Sequence, residues 1–184
     1  DEEIIYSVEN ETVIQSLERR IKYLIIYGSN KSGKTTIAKK FSIKNNIDII
    51  NNVHKDLNFN KETYLDLNIL PGEDEIFFHF LQFFISNNIP LTIFTSESSI
   101  ENLSNNFYLP DVISRLKQFS LCNIQNPDED LLFKLISKYL SLKSITVHEE
   151  IIIEVTKYIE RTYLSAYEAA NTINHLLYEN NHNI

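Results

Sequence analysis

The sequence predicts an α/β domain built on a parallel sheet, followed by a small helical domain. A short apolar segment at residues 23–27 runs directly into a glycine-containing loop, as a strand covered on both faces of a sheet does. Apolar strand-like segments then alternate with helix-like segments as far as residue 124. From residue 126 onward, three helical patterns follow one another with no strand pattern between them.

The first domain is predicted over residues 1–125. Its strands are recognised as short apolar runs, and they are predicted at residues 23–27, 46–50, 64–70, 90–95 and 120–124. Its helices show apolar residues spaced three and four apart, and they are predicted at residues 11–22, 34–41, 75–85 and 110–119. Asn10 suits the N-cap of the first helix. Residues 96–109 are predicted to form a polar loop.

The second domain is predicted over residues 126–184 as three helices, at residues 128–142, 147–160 and 164–178. Pro127 suits the first position of the first of these helices, because a proline lacks the N–H that a helix start leaves unpaired. Thr146 and Glu149 have the spacing of a capping box before the second helix.

Composition excludes several classes of function. The formal net charge of -8 disfavours autonomous binding to duplex DNA, which depends on neutralising phosphates with Lys and Arg. Cys122 is the single cysteine, so no internal disulfide can form, and we expect a cytoplasmic protein. The most apolar stretch, residues 76–85, is far shorter than the roughly 20 residues of a membrane-spanning helix, and no signal peptide is apparent.

The loop after the first predicted strand matches the P-loop pattern G-x-x-x-x-G-K-[ST] at every defined position. Backbone N–H groups of such a loop converge on the β-phosphate at a helix N-terminus. Lys34 would reach the β- and γ-phosphates, and the Thr35 hydroxyl would ligate Mg²⁺. The sequence therefore predicts a site for ADP or ATP with Mg²⁺. Its nucleotide-binding residues are Gly28, Ser29, Asn30, Lys31, Ser32, Gly33, Lys34, Thr35 and the adjacent Thr36.

Other P-loop classes fit the chain less well. Small-molecule kinases clamp the transferred phosphate with several arginines, whereas only Arg115 and Arg161 follow the loop. A GTPase reads guanine with an N-K-x-D segment, and the sequence contains none. Both classes are therefore disfavoured.

Two segments carry a resemblance to a known family. The block LPDVISRL at residues 109–116 and the segment EIIYSVEN at residues 3–10 resemble the initiator-related AAA+ ATPases, and more closely the Hda-type regulators of the bacterial replication initiator DnaA. Residues 87–97 and 126–132 are also similar to this family. The resemblance implies a P-loop AAA+ core with a five-stranded parallel sheet of order 5-1-4-3-2, followed by a three-helix lid. It also implies that Ile5 lies along the adenine and that Arg115 is an arginine finger.

The function implied by the resemblance is regulatory. Arg115 would be presented to the nucleotide bound by DnaA and would promote its hydrolysis. Hda-type proteins also bind the DNA polymerase sliding clamp through a short peptide ahead of the AAA+ region, and no convincing version of it is found in this sequence. Residues 118–121 are a partial look-alike, but they lie where a buried strand is predicted. A DnaA-related loader or tethering module, a small P-loop kinase and a nucleotide-free scaffold stay open as alternatives, as does a homo-oligomer.

Two positions depart from the family pattern. The family places adjacent acidic residues at the end of the third predicted strand, whereas this chain offers only Asp66 there, as a metal ligand, with acidic residues 73–75 following later. Weak intrinsic hydrolysis is the expectation. The sensor 2 arginine of the lid falls on Leu164, and Arg161 is the nearest substitute.

Overall fold

A computed structural model of the chain describes residues 3–53, 61–67, 74–96 and 100–182. Its strands are β1 (Tyr23–Tyr27), β2 (Asp48–Ile50), β3 (Thr63–Leu67), β4 (Leu91–Thr95) and β5 (Ser120–Asn123). They form one parallel five-stranded sheet of order β2-β3-β4-β1-β5. The expected strand order and the predicted parallel α/β architecture are therefore confirmed. The part of the third predicted strand at residues 68–70 lies outside the described residues.

The described residues contain eight helices. They are α1 (Val8–Glu18), α2 (Lys34–Asn45), α3 (Asp74–Ser86), α4 (Ile100–Ser104), α5 (Pro110–Leu116), α6 (Glu129–Leu142), α7 (Glu149–Thr156) and α8 (Tyr163–His182). A continuous loop is predicted at residues 96–109, and this prediction is wrong at residues 100–104, which form α4. Leu103 and Phe107 are buried in the core there and hold the segment against the rest of the domain.

The chain divides into two compact units. The first comprises Asp1–Gly28 and Gly33–Ile124, and the second comprises Ser29–Ser32 and Gln125–Ile184. The central residues of the predicted P-loop therefore group with the helical unit, while both ends of the loop group with the sheet. No helix among the described residues is both long enough and apolar enough to cross a membrane.

The sheet of the first unit is covered on both faces, as the uniform burial of β3 and β4 requires. Ile25, Leu65 and Ile93 lie side by side in register and pack against the phenylalanine-rich face of α3. Successive side chains of a strand point to opposite faces, so Tyr64 and Asp66 lie on the other side, where α2 packs. This alternation places Asp66 beneath the start of α2.

The first helix begins earlier than predicted. Asn10 occupies the third helical position rather than the N-cap, and its side-chain Oδ1 accepts a hydrogen bond from the backbone N–H of Ser7 at 3.2 Å. The same side chain donates to the carbonyl of Ile5 at 2.7 Å. Asn10 thereby ties the N-terminal segment to α1.

In the second unit, α6 packs against α7 and α8. Asp128 is the N-cap of α6, and its carboxylate accepts from Leu131 N at 2.8 Å, so Pro127 precedes the helix instead of starting it. The capping box predicted at Thr146 is also wrong. His148 still has an extended backbone, with ψ 134°, and α7 begins only after it.

Candidate nucleotide-binding site and arginine finger

The P-loop joins the end of β1 to the start of α2, as a phosphate-binding loop must. Gly28 N donates to the carbonyl of Thr95 at 3.3 Å, which ties the loop to the neighbouring strand β4. Gly33 is the N-cap of α2 and has φ 87°, a left-handed conformation that favours glycine. Among the described residues, apart from the chain neighbours of Gly33 and the backbone of α2, no atom lies within 4 Å of the position a Cβ would take at Gly33.

Lys34 is buried at the base of the loop. Its Nζ donates to the carbonyl of Gly28 at 2.8 Å, across the loop. Burial lowers the pKa of the Lys34 ammonium below its ordinary value, and the negative charge of Asp66 opposes this effect. An anionic phosphate at this position would supply the counter-charge that a buried ammonium needs.

Thr35 and Asp66 meet where α2 covers β3. The Thr35 hydroxyl donates to Asp66 Oδ2 at 2.8 Å. Within the described part of the chain, the buried Asp66 Oδ1 has no hydrogen-bond partner. A hydroxyl beside a buried carboxylate with one unpaired oxygen fits Mg²⁺, which takes one or two protein oxygens and completes its shell with phosphate oxygens and water. The structure therefore brings Gly28, Lys34, Thr35 and Asp66 together.

The position after Asp66 is apolar. Leu67 is buried in the core cluster with α3, so it offers no acid next to Asp66. Of the later acids, Glu73 lies outside the described residues. Asp74 instead accepts hydrogen bonds from Tyr108 N at 2.5 Å and Leu109 N at 2.8 Å, ahead of α5.

The N-terminal segment lies against α2. The ring of Tyr6, which follows Ile5, has Lys40 Nζ 5.0 Å from its centroid. Ile5 itself is half-buried. Thr36 lies in the first turn of α2 and is also half-buried.

The middle of the P-loop has its own contacts within the second unit. Ser32 N donates to Ser29 O at 3.2 Å, and Asn30 at the tip is exposed. Lys31 has a positive φ of 66°, and its Nζ lies 4.1 Å from the ring centroid of Tyr167 in α8.

Tyr167 is a contact that the sequence prediction missed. Its ring meets Tyr139 of α6 edge to face at 5.4 Å. Its four-residue spacing from the buried Tyr163 was the available signal for a shared helix face. Of the sensor 2 candidates in this unit, Leu164 is exposed, and Arg161 pairs with Glu129 at 3.7 Å.

Arg115 lies in the last turn of α5 and is half-buried. Its Nε donates to Gln82 Oε1 of α3 at 2.6 Å, and its guanidinium carbon lies 5.8 Å from the ring centroid of Phe78. In the partial clamp-peptide look-alike, Phe119 is buried in the core and residue 120 begins β5, whereas residues 118, 120 and 121 are exposed.

No protein-family model matches the chain, and no curated protein matches it. Several solved structures, however, have a similar fold. Domain III of the Thermotoga maritima replication initiation protein DnaA has a TM-score of 0.70 at 16% identity, over 98% of this chain and 88% of that one. A DNA replication initiation factor has a TM-score of 0.68 at 19% identity, over 93% of this chain and 62% of that one. The Thermotoga maritima RuvB Holliday junction branch migration motor has a TM-score of 0.61 at 14% identity, over 92% of this chain and 60% of that one.

These likenesses define the fold of the chain. The chain has the P-loop AAA+ fold, with the five-stranded parallel sheet of that class. Within the class, its fold is similar to that of DnaA domain III.

Proposed function

We propose that this chain is a nucleotide-binding, DnaA-related regulator of chromosome replication initiation. In this proposal Arg115 reaches the ATP held by DnaA and stimulates its hydrolysis. The observation that carries the proposal is the environment of Arg115, whose half-buried side chain is held on α3 by Gln82 and Phe78. The DnaA-like fold supports the choice of partner.

The chemistry needs only a positioned cation from this chain. Water attacks the γ-phosphorus of the ATP bound by DnaA, and the bond from that phosphorus to the β–γ bridging oxygen breaks, giving ADP and phosphate. Negative charge is spread over the equatorial oxygens in the transition state. A guanidinium directed at those oxygens stabilises this charge through short, charge-assisted hydrogen bonds.

The chain's own P-loop would hold ADP or ATP with Mg²⁺. Lys34 would contact the phosphates, and Thr35 would ligate the metal. Asp66 would ligate Mg²⁺ directly or accept a hydrogen bond from a water bound to it. Bound Mg²⁺ neutralises phosphate charge. Because the position next to Asp66 is the buried Leu67, we propose that the chain itself hydrolyses ATP slowly.

The proposed setting is the cytoplasm, with DnaA as partner and the sliding clamp as a second one. The net charge of -8 supports recruitment by these proteins rather than autonomous binding to duplex DNA. In a filter-binding assay at about 0.15 M salt, the isolated chain is expected to bind random duplex no better than other acidic proteins do.

The test compares Arg115→Ala with Arg19→Ala, which removes an exposed arginine at the end of α1. ATP-loaded DnaA is mixed with each variant and with DNA carrying the sliding clamp, and single-turnover hydrolysis is followed. Each chain carries an added N-terminal clamp-binding peptide. Arg115→Ala should lose stimulation by about 10³-fold or more, the range measured for fingers acting in trans. Equal stimulation by wild type and Arg115→Ala, or none by wild type, would contradict the proposal.

A further inference from the structure

One face of α3 contacts α5 along its length. Asp74, Phe78, Gln82 and Ser86 recur every four residues and so lie on one stripe of the helix, here called the α3 stripe. Three of them contact α5 or the residues just before it, and the fourth contacts Gln82. The stripe therefore holds the element that carries Arg115.

Gln82 is fixed at both ends of its amide. Its Nε2 donates to Ser86 Oγ at 2.5 Å, while its Oε1 accepts from Arg115 Nε at 2.6 Å. With the amide nitrogen engaged by Ser86, the amide oxygen is the group directed at the arginine. Nε is the guanidinium nitrogen that is bonded to the rest of the side chain. The two Nη groups lie at the far end of the guanidinium and carry its other N–H donors.

The other two members of the stripe restrain the same element. Phe78 places its ring under the guanidinium, within the roughly 6 Å at which a cation and an aromatic face attract. Asp74 Oδ2 accepts from both Tyr108 N and Leu109 N, which fixes the start of α5. Both ends of α5 are thus held by one helix.

We propose that Gln82 is a positioning residue for Arg115, with Phe78 as its support. The inference rests on the proposed function and adds that the finger is aimed before the partner arrives. An arginine already held in its working rotamer loses less freedom on contact with the γ-phosphate. Gln82 occupies Nε, and the Nη groups are thereby presented as the pair that meets the phosphate oxygens.

The test uses the hydrolysis assay above with Gln82→Ala, Gln82→Glu and Gln15→Ala. Gln15 is a matched control, because it is a surface glutamine of α1 whose amide also donates four residues along its helix, to Glu11 at 3.0 Å. Gln82→Ala should lower the stimulated rate at saturation by roughly ten- to a hundredfold, the cost of a misaimed reacting group. The concentration giving half-maximal stimulation should stay unchanged. Gln82→Glu should keep most of the rate, because its carboxylate still accepts from Nε.

A second readout does not depend on DnaA. The Nε–H resonance of Arg115, assigned by its loss in Arg115→Lys, should exchange with solvent faster in Gln82→Ala than in wild type or Gln15→Ala. Unchanged exchange would overturn the hydrogen bond itself. If Arg115→Ala loses stimulation but Gln82→Ala keeps the wild-type rate, the positioning role alone fails. If Arg115→Ala stimulates as wild type does, the proposed function fails and the positioning role fails with it.

Discussion

The P-loop and the α3 stripe each hold a cationic side chain, and they do so in opposite ways. Lys34 is 6% exposed and is held by a carbonyl six residues away in its own loop. Arg115 is half-buried and is held by a side chain 33 residues away on another helix. The buried cation suits a ligand that enters the domain, and the partly exposed one suits a charge on another molecule. Burial, rather than charge, separates the two proposed roles.

The largest expected effect is on nucleotide binding by the P-loop, and it leaves the α3 stripe unchanged. Lys34→Ala should weaken adenine nucleotide binding by about 2–5 kcal/mol, because it removes the charged partner of a desolvated phosphate. The Arg115 Nε–H signal should not change, since the two cations share no contact in the structure described. Titration with a fluorescent nucleotide measures the affinity, and Lys39→Ala, an exposed lysine of the same helix, is the control. Equal affinities for Lys34→Ala and wild type would remove Lys34 from the site.

The next effect is on the stability that the α3 stripe contributes. Asp74→Ala leaves the N–H groups of Tyr108 and Leu109 without their charged acceptor, and it should lower the free energy of unfolding by about 1–3 kcal/mol. Glu75→Ala is the matched control, because both acids lie in the first turn of α3 and interact equally with its dipole. Urea denaturation measures the difference. The same loss in both variants would mean that the anchor contributes nothing beyond the dipole.

A third effect appears only at alkaline pH and concerns Tyr64, on the strand that carries Asp66. Tyr64 lies two residues before Asp66 on the α2 side of the sheet, and burial, helped by the charge of Glu62, raises its pKa to about 12. The folded state therefore keeps its phenol protonated after the unfolded chain has lost the proton. Stability should fall as pH rises from 10 to 12, by about 2–3 kcal/mol in total.

Tyr64→Phe has no phenol to ionise, so it should remove this part of the alkaline fall. Tyr158→Phe, which changes an exposed tyrosine, should keep the fall. Denaturant titrations at pH 8, 10 and 12 compare the variants. A parallel decline in Tyr64→Phe and wild type would show that Tyr64 ionises as readily in the folded chain as in the unfolded one.

The two regions also differ in how far the sequence predicts them. Gly28, Lys34 and Thr35 are predicted because a contiguous motif carries its geometry in its spacing, and the parallel sheet is predicted because apolar runs such as residues 23–27 reveal their burial. The partners of Arg115 could not be predicted in this way. Gln82 and Phe78 lie in a helix whose apolar sequence indicates core packing. Their contact with Arg115 depends on how α3 packs against α5.

Two helix starts were predicted wrongly. The pattern of residue types favoured Asn10 and Thr146 as caps, but both kinds of side chain can serve several neighbouring backbone positions. In the structure, Ser7 precedes α1 and His148 precedes α7. The helix α4 was missed because its polar sequence conceals one buried side chain, Leu103.

The burial of Leu67 beside Asp66 has a consequence for the lifetime of the occupied P-loop. Under the proposed function, a nucleotide bound there is hydrolysed only slowly, so occupancy of the P-loop is set mainly by dissociation and by the supply of ADP and ATP. A ligand that binds only the folded chain stabilises it by about 2.7 kcal/mol at a concentration one hundred times its Kd. The nucleotide then behaves as an exchangeable part of the fold, and the melting temperature of the chain reports how much of it is present.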